Sequence, residues 1–323
     1  MENYAHRGML SLTQLQYILA VERFGSFSQA AKACHVTQPT LSMQIKKLED
    51  DLGVVIFDRS AQPIRATPIG RQILEQSAVV LSQATRLQDL VHEAKERLEG
   101  VLQLSVIPTL APYVLPLFLQ HFAETYPGVQ LKVEERTTDA IIEALREHRT
   151  DVGLLATPLG EPMLREVPLF HEPFYIYAKK GAPLSELSEV SDEDLTQERV
   201  LLLSEGHCLR TQAMRVCGLR QSRQKKVKSH FEFESGSIET LCHMVDKGLG
   251  YTVIPHLAKS WNVTRHGRVV PFRAPHPSRE VSLVTHQSFA REALLRALAQ
   301  SIQRSLPPEL QKPDDSLRTI KLR

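Results

Sequence analysis

The spacing of apolar residues predicts a group of short helices at the start of the chain. Leucine, isoleucine and valine recur at three- and four-residue intervals over 12–21, which indicates an amphipathic helix. Ser26 is placed to cap a second helix that carries several alanines. A third helix follows over 38–48, with Pro39 in its first turn and apolar residues at i, i+4 and i+7 of its inner face. The apolar run 54–57 then predicts a short strand of a hairpin.

A longer apolar repeat begins after Thr67-Pro68, a capping residue followed by a first-turn proline. Its members alternate at four- and three-residue intervals over more than three heptads: Ile73, Ser77, Val80, Ala84, Leu87, Val91, Ala94 and Leu98. A sustained period of 3.5 residues is typical of a helix that pairs with another helix. The sequence therefore predicts a long helix that dimerises with a second copy of the chain and ends at Gly100.

From Gly100 onward, apolar runs of strand length alternate with helical patterns, which indicates an α/β domain. The predicted strands are 101–107, 129–133, 152–155, 174–178, 200–203, 251–254 and 281–285. The predicted helices are 113–126, 139–147, 239–246 and 289–305. Ligands of parallel sheets bind at the carboxyl ends of the strands, so Pro108-Thr109 and Thr137-Thr138 are candidate contacts. We expect residues 307–323 to form a disordered tail.

Composition narrows the class of protein. The 39 lysines and arginines against 37 acidic residues give a formal charge of +2, so affinity for nucleic acid must come from local clusters. Four cysteines in 323 residues do not form a disulfide framework, and the first residues do not have the pattern of a secretory signal. No apolar run reaches the length of a membrane span. We expect a cytoplasmic protein without membrane contact, in which any disulfide is transient.

Two of the cysteines, Cys208 and Cys217, enclose eight residues of mostly helix-forming type. Over nine residues an α-helix rises about 13 Å and turns about 900°, so the sulfurs face opposite sides, beyond the roughly 7 Å limit on the Cα distance of a disulfide. A bond between them requires the helix to unwind. At the helix N-terminus, beside His207 and Arg210, Cys208 is predicted to favour the thiolate. We predict that Cys34 and Cys242 are inert and that the cysteines and histidines form no metal site.

The segment 30–49 resembles the winged helix-turn-helix of the LysR-type transcriptional regulators in residue type and spacing. Short polar side chains near the N-terminus of a recognition helix can read base edges, whereas basic side chains of the helix and the wing meet phosphates. The candidate DNA-binding residues are Gln38, Pro39, Thr40, Ser42, Gln44, Lys46, Lys47, Arg59 and Arg65. The basic run 225–228 is interpreted as a solvated loop.

The resemblance implies a fold for the whole chain. It predicts an all-α winged helix-turn-helix domain over 9–67, a dimerising linker helix over 68–99, and an α/β effector domain over 100–306. The effector domain is expected to have two lobes, like a periplasmic binding protein. No function is assigned to the residues before Met9.

The segment 205–217 is similar to the signature of the hydrogen-peroxide-sensing members of this family. That similarity implies that Cys208 is the peroxide-reactive thiol and Cys217 the resolving thiol. It also implies a peroxide pocket, to which we assign Thr109, Thr138, His207, Arg210 and Arg279. Hydroxyl, imidazole and guanidinium donors would stabilise negative charge on the departing oxygen. The departure from the pattern is Thr211, where these members usually have an aspartate.

The implied partners are double-stranded DNA, hydrogen peroxide, further copies of the chain in a homodimer and homotetramer, RNA polymerase and a cellular thiol reductant. No cofactor is expected. Two other functions stay open. A LysR-type regulator could respond to a small metabolite held by Thr109 and Thr138 between the lobes. A thiol peroxidase could use the same cysteine pair as an enzyme, and steady-state peroxide consumption would distinguish it from a sensor.

Overall fold

A computed structural model describes residues 10–61, 63–94, 98–191, 193–196, 199–218, 235–260 and 266–322. The described residues divide into two units, one within residues 1–94 and the other within residues 95–146 and 150–323. The basic run 225–228 and the residues before Met9 lie outside the described parts.

The first unit has the predicted helices and wing. Its elements are α1 (Leu12–Phe24), α2 (Phe27–Ala33), α3 (Gln38–Leu52), β1 (Phe57–Asp58), β2 (Arg65–Ala66) and α4 (Pro68–Ala94). Ser26 and Thr37 accept the capping hydrogen bonds of α2 and α3, from Gln29 N and Thr40 N. The core of this unit contains the apolar positions of α3 that the spacing predicted, Leu41, Ile45 and Leu48, all fully buried.

The predicted strand over 54–57 is displaced, because β1 begins only at Phe57. The cause is Glu49 of α3, whose Oε1 accepts hydrogen bonds from Ile56 N at 2.8 Å and from Phe57 N at 3.2 Å. These amides therefore do not pair with a neighbouring strand. Glu49 anchors the start of the wing to the recognition helix, and nothing in the local pattern marks it for this role.

The apolar repeat lies on α4, where Val80 and Leu87 are 39% and 68% exposed. Large apolar side chains exposed along one seam are consistent with pairing to another copy. Of the predicted linker over 68–99, residues 95–97 lie outside the described parts. Leu98 and Glu99 are not helical, so the prediction that the helix continues to Gly100 is wrong at its end. Leu98 instead packs against the core of the second unit.

The second unit is the predicted α/β domain. Its strands are β3 (Gly100–Val106), β4 (Val129–Glu135), β5 (Val152–Thr157), β6 (Leu164–Lys179), β7 (Val200–Leu201), β8 (Tyr251–Pro255), β9 (Gly267–Pro271), β10 (His276–His286) and β11 (Leu317–Thr319). Its helices are α5 (Ala111–Thr125), α6 (Thr138–Arg146), α7 (Pro183–Glu186), α8 (Cys208–Val216), α9 (Ile238–Asp246) and α10 (Glu292–Ser305).

The described strands form one curled sheet in the order β4-β3-β5-β10-β6-β8-β7, with β11 beside β10 and β9 beside β6. Parallel β3, β4 and β5 form one lobe with β10 and the first part of β6. From Phe174 onward β6 pairs with β8 and β9 and so continues into the second lobe. The two-lobed α/β prediction is confirmed, with the strand β6 shared by both lobes.

The prediction of a disordered tail over 307–323 is wrong. Residues 317–319 form β11, which runs parallel to the start of β10, and Ile320 N donates to Ser278 O at 2.8 Å. Leu310 and Ile320 are buried. Residues 311–316 are polar, and the strand that follows them has only three residues and pairs with residues distant in the sequence. Neither segment therefore has a local pattern that indicates an ordered structure.

Candidate functional site

The site is built around Cys208, the first residue of α8. Gly206 has a φ of 86°, a left-handed conformation that favours glycine, and His207 then takes the N-cap position. Cys208 is 8% exposed. Its predicted place at a helix N-terminus agrees with the structure, so the thiol lies near backbone N–H groups that have no partner within the helix.

Arg279 of β10 brings a buried positive charge to this thiol. Its guanidinium donates through Nε and Nη2 to Glu172 Oε2, at 2.9 and 2.7 Å. Nη1 donates to Thr109 Oγ1 at 3.0 Å, and Nη2 donates to the Thr109 backbone oxygen at 3.1 Å. The side chains of Arg279 and Glu172 are both fully buried. The structure thus brings two of the predicted pocket residues into contact and adds Glu172, which the sequence did not single out.

Thr138, the first residue of α6, contributes a hydroxyl group beside the thiol. The residue is buried, and its Oγ1 makes no hydrogen bond of normal geometry to the described residues. The hydroxyl lies close enough to Cys208 to lower the pKa of the thiol. A buried hydroxyl with unused hydrogen-bonding capacity is placed to bind a polar molecule against the sulfur.

The pKa of Cys208 is raised, which contradicts the predicted preference for thiolate. Burial is the largest cause, and it outweighs the opposing effects of the Arg279 charge, the Thr138 hydroxyl and the helix amides. A buried sulfur loses the water that would solvate its charge, and burial cannot be read from the local sequence. Cys208 therefore rests as a thiol, and Arg279, Thr138 and the helix amides are the groups that stabilise its thiolate form.

His207 and Arg210 do not supply the charge that the sequence assigned to them. Burial lowers the pKa of His207, so the imidazole is neutral at neutral pH. Arg210 Nη1 donates to the backbone oxygen of Leu203 at 2.8 Å. His207 lines the cavity described next, whereas Arg210 does not. The cation at this site is Arg279.

A cavity of about 200 Å³ opens beside the thiol. Its walls are formed by Thr138, Asp139, Ile142, Leu159, Gly206, His207, Cys208, Thr211 and Leu322. One water occupies about 30 Å³ in the liquid, so the cavity has room for a small polar molecule such as a peroxide.

Thr211 stands in this wall, three residues after Cys208. Thr211→Asp is expected to raise the pKa of Cys208 further, by about one pH unit, because a second negative charge opposes thiolate formation. The midpoint of a pH titration of Cys208 alkylation should move upward, whereas the uncharged Thr211→Asn should leave it unchanged. An unchanged or lowered midpoint in Thr211→Asp would contradict this electrostatic account.

Cys217 lies at the other end of α8, as its C-cap. Its backbone N–H donates to Ala213 O at 2.9 Å, and the residue is 4% exposed. The structure contains no disulfide between Cys208 and Cys217, and α8 is intact between them. The helix between Cys208 and Cys217 is the predicted one. Burial raises the pKa of Cys242 far above its usual range, in agreement with the inert role predicted for it.

In the first unit, the outer face of α3 carries most of the predicted base-reading residues. Gln38, Pro39 and Thr40 are exposed, as are Lys46 and Lys47 further along the helix. Met43 is 64% exposed in the middle of this polar face and was not among the predicted DNA contacts. An apolar side chain there can contact the methyl group of thymine. The polar residues on both sides of Met43 were the sequence signal that could have indicated its exposure.

The Oγ1 atom of Thr40 lies 2.8 Å from Thr37 Oγ1, at the start of α3. Two further predicted DNA contacts have partners elsewhere in the protein. Arg59 Nη2 lies 2.7 Å from Glu49 Oε2, and its guanidinium stacks over Phe27 at 5.1 Å, so it braces the wing against α3. Gln44 Oε1 accepts a hydrogen bond from Gln14 Nε2 at 3.4 Å. Both residues are less available to DNA than Arg65, which is exposed on β2.

Within the described ranges, no cluster of three or more histidine, cysteine or acidic side chains is arranged to hold a metal ion. The described helices also include none that is both long and apolar enough to cross a membrane.

Family comparisons agree with this architecture. Residues 12–71 match the bacterial regulatory helix-turn-helix protein of the lysR family, and residues 95–307 match the LysR substrate binding domain. The chain therefore belongs to the LysR family of bacterial regulators.

Several relatives within that family are named for hydrogen peroxide. The chain is 32% identical over 304 residues to a hydrogen peroxide-inducible genes activator of Dickeya chrysanthemi, covering 94% of this chain and 98% of the relative. It is 32% identical over 295 residues to the DNA-binding transcriptional dual regulator OxyR of Escherichia coli K12, covering 91% and 95%. Among solved structures, a full-length cysteine-to-aspartate OxyR variant from Pseudomonas aeruginosa has 36% identity and a TM-score of 0.76, covering 91% of this chain and 98% of that one.

Proposed function

We propose that this chain is a peroxide-responsive, DNA-binding transcriptional regulator, switched by oxidation of Cys208 and formation of a disulfide with Cys217. The observation that carries the proposal is the Cys208 thiol beside the Thr138 hydroxyl in the wall of a cavity large enough for a peroxide. The buried Arg279 charge acts on this thiol, and a second thiol lies at the far end of the same helix. Relatives named for hydrogen peroxide-inducible genes, which match over nearly their whole length, support it.

The chemistry follows from these groups. The Cys208 thiolate attacks one peroxide oxygen, the O–O bond breaks, and the second oxygen leaves as hydroxide that takes up a proton to become water. Thr138 and Arg279 can donate hydrogen bonds to the charge that develops on the departing oxygen. The Cys217 thiolate then attacks the sulfenic sulfur and releases a second hydroxide. A cellular thiol reductant returns both cysteines to thiols by exchange.

The protein is proposed to act in the cytoplasm as a homodimer through α4, and as a homotetramer through a second contact between effector domains. Closed symmetric assemblies of this kind place two helix-turn-helix units on one operator. RNA polymerase is the expected further partner at the promoters of antioxidant genes.

Mass mapping of Cys208 and Cys217 after a stoichiometric peroxide pulse, with DNA footprints before and after, tests the function. Footprints that do not change on oxidation would contradict it.

The DNA-binding face makes a separate prediction. Lys46→Ala is expected to weaken binding to all sequences similarly and to reduce the salt slope by about one, because the side chain meets a phosphate. Thr40→Ala should instead cost about 1–3 kcal/mol at one operator position. Binding titrations at several salt concentrations, on the operator and on single-base variants, separate the two effects. A sequence-selective loss in Lys46→Ala would contradict the assignment.

A further inference from the structure

The face of α8 that begins with Cys208 is bonded to the end of the chain. Residues 208, 212 and 215 recur at i, i+4 and i+7 and so share one side of the helix. Gln212 Nε2 donates to the backbone oxygen of Ile320 at 3.3 Å, in a buried hydrogen bond. Arg215 Nη1 donates to the backbone oxygen of Lys321 at 2.6 Å. Both bonds join residues more than 100 positions apart in the sequence.

The same terminal segment is fixed to the strand that carries Arg279. β11 pairs with residues 276–278 of β10, and Ile320 N donates to the backbone oxygen of Ser278, the residue before Arg279. Leu322 continues into the wall of the cavity at Cys208. The segment 320–322 therefore connects the strand of the buried cation with the helix of the reactive thiol.

We propose that Gln212 and Arg215 are positioning residues that hold α8 folded against segment 320–322 and thereby limit the rate at which oxidised Cys208 closes a disulfide with Cys217. The inference rests on the proposed function. In the step concerned, the Cys217 thiol bonds to the sulfenic sulfur of Cys208, and the hydroxyl of the sulfenic acid leaves with the thiol proton as water. Hydrogen peroxide is the oxidant that forms the sulfenic acid.

The two steps place different demands on the helix. Attack on peroxide occurs at the first residue of α8, and the helix can stay folded while it happens. Disulfide closure requires α8 to unwind, because its ends are nine residues apart and face different sides. Unwinding displaces residues 212 and 215 from the backbone oxygens of residues 320 and 321. The two hydrogen bonds thus oppose closure without opposing oxidation.

Gln212→Met and Arg215→Met test this by removing the donors while keeping unbranched side chains. Sulfenic acid formation, followed by trapping with a dione probe after a peroxide pulse, should stay within about twofold of the unsubstituted chain. Disulfide closure, followed by quenched mass mapping, should accelerate about fivefold in each variant, the factor expected for one lost hydrogen bond. Gln303→Met is the matched control, because Gln303 Nε2 donates to Leu169 O at 3.1 Å, away from α8.

The results separate this inference from the function on which it rests. Unchanged closure in both variants, or equal acceleration in Gln303→Met, overturns it. If peroxide fails to oxidise Cys208 in the unsubstituted chain, the proposed function is wrong. Hydrogen exchange of the reduced protein then tests separately whether segment 320–322 holds α8 folded. Faster exchange of the α8 amides in Gln212→Met and Arg215→Met, but not in Gln303→Met, would support the hold of segment 320–322 on the helix. Unchanged exchange would overturn that as well.

Discussion

Replacement of Cys208 by serine is expected to abolish the response to peroxide. Serine keeps the size of the side chain but has no thiolate to attack the O–O bond, so neither a sulfenic acid nor a disulfide forms. DNA footprints and cysteine mass maps, taken before and after a stoichiometric peroxide pulse, should be identical for Cys208→Ser. A footprint that still changes would mean that another group senses peroxide.

Two further cysteine variants test whether the response to peroxide depends on the Cys208–Cys217 pair. Cys217→Ser should still be oxidised at Cys208 but should stop at the sulfenic or a more oxidised state, because no second thiol captures it. Cys242→Ala is the control, since Cys242 is a buried thiol whose pKa is raised by burial, and it should respond as the unsubstituted chain does. A disulfide in Cys217→Ser would show that a different cysteine resolves the intermediate.

Replacement of Arg279 by methionine is expected to have the second largest effect, on stability as well as reactivity. The change leaves the Glu172 carboxylate buried without its cation, and breaking a buried ion pair in this way costs about 3–5 kcal/mol in the free energy of unfolding. It also removes the charge that lowers the pKa of Cys208, so the alkylation midpoint should move to higher pH. Denaturant titration and the pH profile of alkylation measure the two effects.

A double variant separates charge from folding. Glu172→Gln combined with Arg279→Met removes the stranded carboxylate, and the glutamine Oε1 can still accept the hydrogen bond that Leu257 N gives to Glu172 Oε1 at 2.8 Å. Most of the lost stability should return, while the alkylation midpoint should stay high because the guanidinium is absent. If the midpoint returned together with stability, the shift in Arg279→Met would reflect local unfolding or the unpaired Glu172 carboxylate rather than the loss of the Arg279 charge.

Local pattern was sufficient for the elements whose signals are local. The apolar spacing of α3, the capping residue Ser26, and the helix between Cys208 and Cys217 could all be read from adjacent residues. Contacts between distant positions could not. Glu172 and Arg279 lie 107 residues apart, and the residues around each give no indication that the two form an ion pair.

The burial of a side chain was the second property that could not be predicted from the sequence. The position of Cys208 at a helix N-terminus was predictable, but its raised pKa depends on how completely the neighbouring elements enclose it. The same holds for the end of the chain, where β11 depends on the part of β10 that extends beyond β5 rather than on its own short sequence. Only the resemblance supplied Arg279 as a candidate pocket residue, because similarity to a family carries such long-range information.

The packing of α8 gives the switch a thermal property. Leu209, Ala213 and Val216 on this helix are 2%, 4% and 1% exposed, so unwinding transfers apolar surface from the core to water. Hydration of apolar surface carries a positive heat capacity. The enthalpy of oxidation therefore changes with temperature, and the midpoint potential of the Cys208–Cys217 couple follows a curved rather than a linear dependence on it. The equilibrium between this disulfide and a thiol reductant therefore also depends on temperature.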